Sequence, residues 1–232
     1  MPAASDSKAE KMNVAEKIND FIQKNRSKLL ASLVAAIIIM LGIVVFITVR
    51  NRLISAALAK VDAFNSRYEE LKVYISGDDP DSALKQADVD TLLDDITAFA
   101  SKNSGFAAAR AYAISAGIYW ERKDWAEAEK AFTASAEKGA KTYLAPASLY
   151  NAAAAAEESG SIEAALDLYK RSIDFGTNFP AAARAQFSIG RLEESRNNRD
   201  AALAAYNTLV SRWPNDPVWA NLAQSRIIVL LE

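Results

Sequence analysis

The chain has 232 residues, 51% of them apolar and 24% charged, with no cysteine and no histidine. Disulfides, thiolate-bound metals and the Ser-His-Asp and Cys-His nucleophilic machineries are therefore excluded, and stability must come from apolar packing. The formal charge of −2 divides as +2 over residues 1–28 and −4 over residues 50–232, and so mildly acidic a main part offers no footprint for a nucleic-acid backbone, which binds clustered Lys and Arg.

Eight glycines and six prolines among many alanines favour helices, because alanine loses least on entering a helix and glycine most. The fold class read from composition is all-α. Near the N-terminus, Met12, Ala15, Ile18, Phe21 and Ile22 recur at helical spacing with lysines on other faces. That run reads either as a helix on the cytoplasmic membrane surface or as a frayed helix. Between Lys28 and Arg50 stand 21 uncharged residues, LLASLVAAIIIMLGIVVFITV, which as a helix reach roughly 30 Å, the thickness of a bilayer's hydrocarbon core. A transmembrane helix over 29–49, after a basic tail over 1–28, is the expectation. A cleaved signal peptide would have a shorter apolar region and an earlier start, and the small-residue triplet Ala57-Leu58-Ala59 lies beyond Arg50 and Arg52. Lys11, Lys17, Lys24, Arg26 and Lys28 precede the span while Arg50, Arg52, Lys60 and Arg67 follow it, so the positive-inside bias is slight. Long C-terminal domains are translocated largely regardless of nearby charge, which predicts a cytoplasmic N-terminus and an exported C-terminal domain.

Residues 50–75 extend the anchor as a helix, and Gly77-Asp78-Asp79-Pro80-Asp81-Ser82 forms a joint in which Asp81 or Ser82 caps the next helix. Residues 88–102 read as one helix, a candidate second half of a degenerate zeroth repeat in which Phe99 stands three periods before Val210.

The C-terminal half repeats with a period of 37 residues: Ala128, Ala165 and Ala202 each stand four residues before an aromatic, Phe132, Tyr169 and Tyr206. The small residues Ala116, Ala153 and Gly190 lie twelve before each alanine, and Ala111, Ser148 and Ala185 five before those. Turn-prone pairs recur between the halves, Lys123-Asp124, Gly160-Ser161 and Asn197-Asn198, so each copy is a helical hairpin. Antiparallel helices approach closely only where one presents a small side chain and the other fills the gap beside it. One hairpin cannot bury that face alone, so stacked copies share a core. Residues from Pro217 match only the first helix of a fourth unit, a capping helix.

No phosphate-cradling glycine motif occurs. Asp78, Asp79 and Asp81 lack the alternating ligands and closing glutamate of a calcium loop, and the adjacent pairs Asp94-Asp95 and Glu157-Glu158 point apart on a helix and cannot share a proton. No cofactor, metal site or catalytic residue is expected, and the chain reads as a non-enzyme.

A small residue, an alanine twelve on, an aromatic four further and then a proline, Pro214 in the third copy, resembles the tetratricopeptide repeat (TPR). Two copies lack that proline, Ser135 and Ser172 stand where the family often has alanine, and the period exceeds the usual 34. The domain map is a joint region over 50–81 and a TPR-like domain over 82–232, with repeats at about 109–142, 146–179 and 183–216 and the cap at 217–232. The resemblance implies a groove lined by the first helix of each hairpin. By register this selects Arg110, Ile114, Gly117, Trp120 and Glu121 in the first copy, and Tyr150, Asn151, Ala154 and Glu157 in the second. The third supplies Arg184, Phe187, Ser188, Arg191 and Glu194. Such a groove takes an extended peptide or a helix, although Trp120, Tyr150 and Phe187 read equally well as packing within the array.

Basic tail, uncleaved anchor, extended helix and about three degenerate repeats together resemble the YfgM-like ancillary subunits of the bacterial SecYEG translocon. That resemblance implies an inner-membrane protein whose periplasmic repeats pass exported proteins between translocon and chaperones. A scaffold for a cell-wall or division complex would use the same groove, and self-association stays open.

Overall fold

The computed structural model describes residues 14–75, 81–175 and 179–232, so the predicted joint at 77–80, the acidic Asp78 and Asp79 within it, and Met12 fall outside the described residues. Among the described residues every regular element is an α-helix: α1 Val14–Ile75, α2 Ser82–Lys102, α3 Gly105–Glu121, α4 Trp125–Lys138, α5 Leu144–Glu158, α6 Ile162–Ile173, α7 Ala182–Ser195, α8 Arg199–Arg212 and α9 Trp219–Leu231. The chain divides into two compact units, residues 1–55 and 56–232.

The first unit is the leading part of α1, the one helix among the described residues long and apolar enough to cross a membrane. Leu33, Ile38, Leu41 and Phe46 are exposed around it, as are Ile18, Phe21 and Ile22 before it. Within the apolar stretch 29–49 the two polar side chains turn back on the helix: Ser32 Oγ donates to the Leu29 carbonyl and Thr48 Oγ1 to that of Val44, each at 2.8 Å. Side chains that satisfy themselves in this way need no water, as an apolar surrounding requires.

The second unit begins with the end of α1. Val61, Phe64 and Ile75 are buried with Val89, Leu92 and Ile96 of α2. The rings of Phe64 and Phe99 meet edge-on at 5.6 Å, and Gln86 donates to the Tyr74 carbonyl at 3.1 Å. Residues 56–75 and α2 thus form a hairpin ahead of three others, α3–α4, α5–α6 and α7–α8, and α9 closes the stack through Ala220 and Ala223. Asp81 stands at the start of α2, its carbonyl accepting the Leu84 and Lys85 amides.

Within the three similar hairpins, Ala116, Ala153, Gly190, Ala128, Ala165, Ala202, Phe132, Tyr169 and Tyr206 are all buried. The fit is tightest in the last, where a Cβ added to Gly190 would lie 2.5 Å from Cε1 of Tyr206. Between α4 and α5, Ser135 Oγ donates to the Ala109 carbonyl and lies 2.8 Å from Ser148 Oγ, so two buried hydroxyls satisfy each other where alanine would leave space.

The hairpin turns share one geometry. Lys123, Gly160 and Asn197 have φ of 59°, 78° and 59°. Their amides donate to the carbonyls of Trp120, Glu157 and Glu194, and those of the next residues, Asp124, Ser161 and Asn198, reach five residues back to Tyr119, Ala156 and Glu193. This is the Schellman closure, which satisfies the last carbonyls of the helix and requires a left-handed residue at one fixed place.

Candidate protein-docking face

The first helices of successive hairpins, residues 56–75 of α1 followed by α3, α5, α7 and α9, run parallel and are pinned by charge. Arg110 donates to Asp62 at 2.8 Å, and Lys72 lies 3.7 Å from Glu121. Further along, Arg191 donates to both carboxylate oxygens of Glu157 at 2.5 and 2.6 Å, and Arg226 pairs with Glu194. The core aromatics join these pairs from below, the Tyr169 hydroxyl donating to Glu157 at 3.3 Å and that of Tyr206 to Glu194 at 3.0 Å. A tyrosine, a glutamate and the next helix's arginine thus form one rung, repeated across α5–α7 and α7–α9.

Ring contacts fill the same stretch. The Arg184 guanidinium lies 5.4 Å from the Tyr150 ring and 5.8 Å from that of Trp219. Phe187 sits between Tyr206 at 5.4 Å and Trp219 at 5.3 Å, and Tyr150 rests on Tyr169 at 5.4 Å. The groups that register assigns to the groove in the last two copies therefore meet one another: Tyr150 with Arg184, Arg184 and Phe187 across Trp219, and Arg191 with Glu157.

The rung is missing between α3 and α5. One period before Glu157 and Arg191 stand Trp120 and Ala154, and Phe132 replaces the tyrosine. Trp120 turns its ring edge-on to Trp125 at 5.0 Å. A cavity of about 250 Å³ opens there, lined by Tyr68, Gly117, Trp120, Glu121, Phe132 and Asn151. Asn151 is exposed, and a Cβ on Gly117 would come within 3.1 Å of the Tyr68 hydroxyl, so the glycine makes room for that side chain. Of the register-selected residues, Gly117, Trp120, Glu121 and Asn151 converge on this opening, and Arg110 is drawn aside by Asp62.

Electrostatics follow burial. Burial, reinforced by Glu121, pushes the Tyr68 hydroxyl up to about 12, and burial followed by its bond to Glu194 does the same at Tyr206. Burial also raises Tyr169 and Tyr150, while the Arg226 hydrogen bond holds Glu194 below the usual carboxylate value. All four phenols are protonated at neutral pH, and those of Tyr169 and Tyr206 donate to Glu157 and Glu194.

Tyr68, Asp62 and Arg226 contribute to this face although register did not select them. Their signal was present in part: Val61, Phe64, Tyr68, Leu71 and Ile75 follow one another at steps of three and four residues, the stripe of a helix buried on one side.

Stacked hairpins whose first helices form one continuous polar and aromatic wall define a helical-repeat protein of the protein-binding kind. No family model matches the chain. A protein of Treponema pallidum (strain Nichols) named "TPR repeat-containing protein" is 33% identical over 225 residues, covering 92% of this chain and 93% of the relative. The chain belongs to the TPR repeat-containing proteins, and its module is one for protein–protein interaction.

Proposed function

We propose that this chain is a membrane-anchored docking protein that receives a segment of a partner protein at the opening between α3 and α5. The missing rung carries the reading: elsewhere the first helices satisfy one another, whereas here a cavity stays open between Trp120, Glu121 and the exposed amide of Asn151. An aromatic wall beside an amide and a carboxylate suits an extended segment or a helix presenting an apolar anchor and a donor. The apolar segment over 29–49 is the anchor, with a cytoplasmic N-terminus and a periplasmic repeat domain, and the role is hand-off of exported proteins between the Sec translocon and chaperones. The architecture supports this last step: a basic tail, a single span and a short repeat array on one chain.

Photocrosslinking from Asn151 in intact cells, followed by mass spectrometry, tests the reading, with Ser195, exposed beside the closed α7–α9 rung but no part of it, as the comparison site. Translocon subunits, periplasmic chaperones or nascent exported chains captured at Asn151 in excess over Ser195 are the expected result. Capture dominated by cell-wall or division proteins would replace hand-off by scaffolding, and equal capture at both sites would remove the assignment of the opening.

A further inference from the structure

The two ends of the repeat unit carry opposite charge. Because Asp62 faces Arg110 and Lys72 faces Glu121, the first helices run parallel, and the loops joining one hairpin to the next all lie at the end where the unit receives the chain, at Ala56. Residues 102–106, 136–144, 170–175, 179–182 and 209–219 make up that end. They hold six basic residues, Lys102, Lys138, Lys141, Lys170, Arg171 and Arg212, against three acidic ones, Glu137, Asp174 and Asp216. The turns at the other end, residues 121–127, 157–163 and 194–200, hold four basic residues against eight acidic ones. Among the described residues, Lys102, Lys138, Lys141 and Lys170 have no carboxylate within ion-pair distance, although most cations elsewhere on the unit do.

The basic end is also the aromatic one. Tyr143 is 78% exposed and Phe175 45%. The Tyr143 ring leans on Phe106 at 5.7 Å, and the Arg212 guanidinium sits 4.7 Å from the Trp213 ring. A cavity of about 550 Å³ opens between Tyr143, Pro146, Phe175, Phe179 and Pro180. Exposed Tyr and Phe beside unpaired lysines match a bilayer's headgroup layer, where amphipathic rings settle and anionic lipids attract cations. The tether favours the same occupant. Residues 50–55 alone separate the apolar segment from Ala56, and six residues reach at most about 20 Å, so this end meets lipid at high effective concentration while the acidic end is repelled by an anionic surface.

We propose that the loop end of the repeat unit is a lipid-docking surface, seated on the headgroups of an anionic membrane with Lys138, Lys141 and Lys170 toward phosphate and Tyr143 and Phe175 in the interface. Docking holds the first-helix face at a set height and orientation above the bilayer. The inference rests on the reading of residues 29–49 as the membrane span.

The chain contains no cysteine, so single cysteines label cleanly. Full-length Tyr143→Cys, Phe175→Cys, Glu158→Cys and Ile47→Cys would each carry an environment-sensitive fluorophore. They would be reconstituted in vesicles of phosphatidylcholine alone or mixed with phosphatidylglycerol, with nitroxide lipid as quencher. The expected result is a blue shift and quenching at positions 143 and 175 in the anionic vesicles, loss of both in neutral vesicles or with Lys138→Glu and Lys141→Glu, and neither at position 158. Quenching at 47 with aqueous signals at 143 and 175 would overturn the docking surface and keep the anchor, as would signals at 143 and 175 indifferent to lipid charge. An aqueous signal at 47 would overturn the anchor and the inference built on it.

Discussion

The second and third hairpins share a backbone register with the first but not its chemistry. Where α5 meets α7 and α7 meets α9, a buried tyrosine, a glutamate and an arginine join successive helices. Where α3 meets α5, the same three places hold Phe132, Trp120 and Ala154, and a cavity opens. The small-against-large core is kept throughout, so the core sets the stacking and the outer positions are free to close the face or leave it open. Charge pairs this exposed add little stability, which is why the rung can be missing without cost to the stack.

The comparison breaks most completely through the core. Ala165 is fully buried in the middle hairpin, and its neighbours leave no volume for an indole. Ala165→Trp is expected to cost about 3 kcal/mol through overpacking and to separate the rungs on either side. Thermal unfolding of the reconstituted protein measures it, and an unchanged melting temperature would mean the packing register is wrong.

Next in size is Gly190→Ala. The first two hairpins already carry alanine at this place, Ala116 and Ala153, yet the third brings Tyr206 so close that the new Cβ would lie 2.5 Å from Cε1 and 2.7 Å from Cδ1. The ring must move and its bond to Glu194 must lengthen. A loss of about 1–3 kcal/mol is expected in denaturant titration, against about 1–2 kcal/mol for Ala153→Gly, where helix propensity and one buried methyl group are lost without any clash.

These core positions were legible before any coordinates because their information is local: on a helix, four residues apart is one turn, and a fixed period repeats the match. The helical class and the repeats follow from that. The hairpin built from residues 56–75 is harder to read, since its stripe, Val61 to Ile75, stands in one helical run with the 21-residue apolar segment that precedes it. The rungs were hidden for a different reason. Glu157 and Arg191 are 34 residues apart, less than the 37-residue period, and pair only because parallel neighbours are offset along their axes. Register reached Trp120, Gly117, Glu121 and Asn151, but it could not separate a face closed on itself from one left open, because that depends on partners from neighbouring helices.

Alkaline pH sharpens the contrast between the hairpins. The Tyr206 hydroxyl is raised from 10.0 to about 12 in the folded chain, so the protonated phenol is favoured by folding. Its contribution is fully present below about pH 10 and is lost as pH rises through the folded value near 12. Tyr68, also raised to about 12, acts in the same direction at the open junction. Stability measured by denaturant between those limits should fall less steeply in Tyr206→Phe and Tyr68→Phe than in the parent. Equal slopes would mean that neither phenol is held as the structure places it.

Removing a rung should matter less than any core change. The Arg191 and Glu157 side chains are 46% and 23% exposed, so Arg191→Ala is expected to cost no more than about 1 kcal/mol, and less in high salt. Its stronger effect falls on docking. With Glu157 released, the middle junction comes to resemble the open one, and crosslinking from that site should rise toward the Asn151 level. Installing a rung by Trp120→Glu with Ala154→Arg should do the reverse at Asn151, with the melting temperature as the check that the stack survives.

The smallest effect concerns the turns and has the opposite sign. Lys123, Gly160 and Asn197 occupy one left-handed position, at φ of 59°, 78° and 59°, but only the middle hairpin uses glycine there. A lysine at such φ crowds its Cβ against the following carbonyl, at about 1 kcal/mol, whereas asparagine tolerates the region better. Lys123→Gly is therefore expected to stabilise the first hairpin by somewhat less than about 1 kcal/mol, because glycine also gains freedom in the unfolded chain. Asn197→Gly should change little. A rise in melting temperature for the first substitution and none for the second would separate backbone strain from side-chain contact. Destabilisation by Lys123→Gly would show that the lysine stem covers apolar surface at that turn, outweighing the relief of strain.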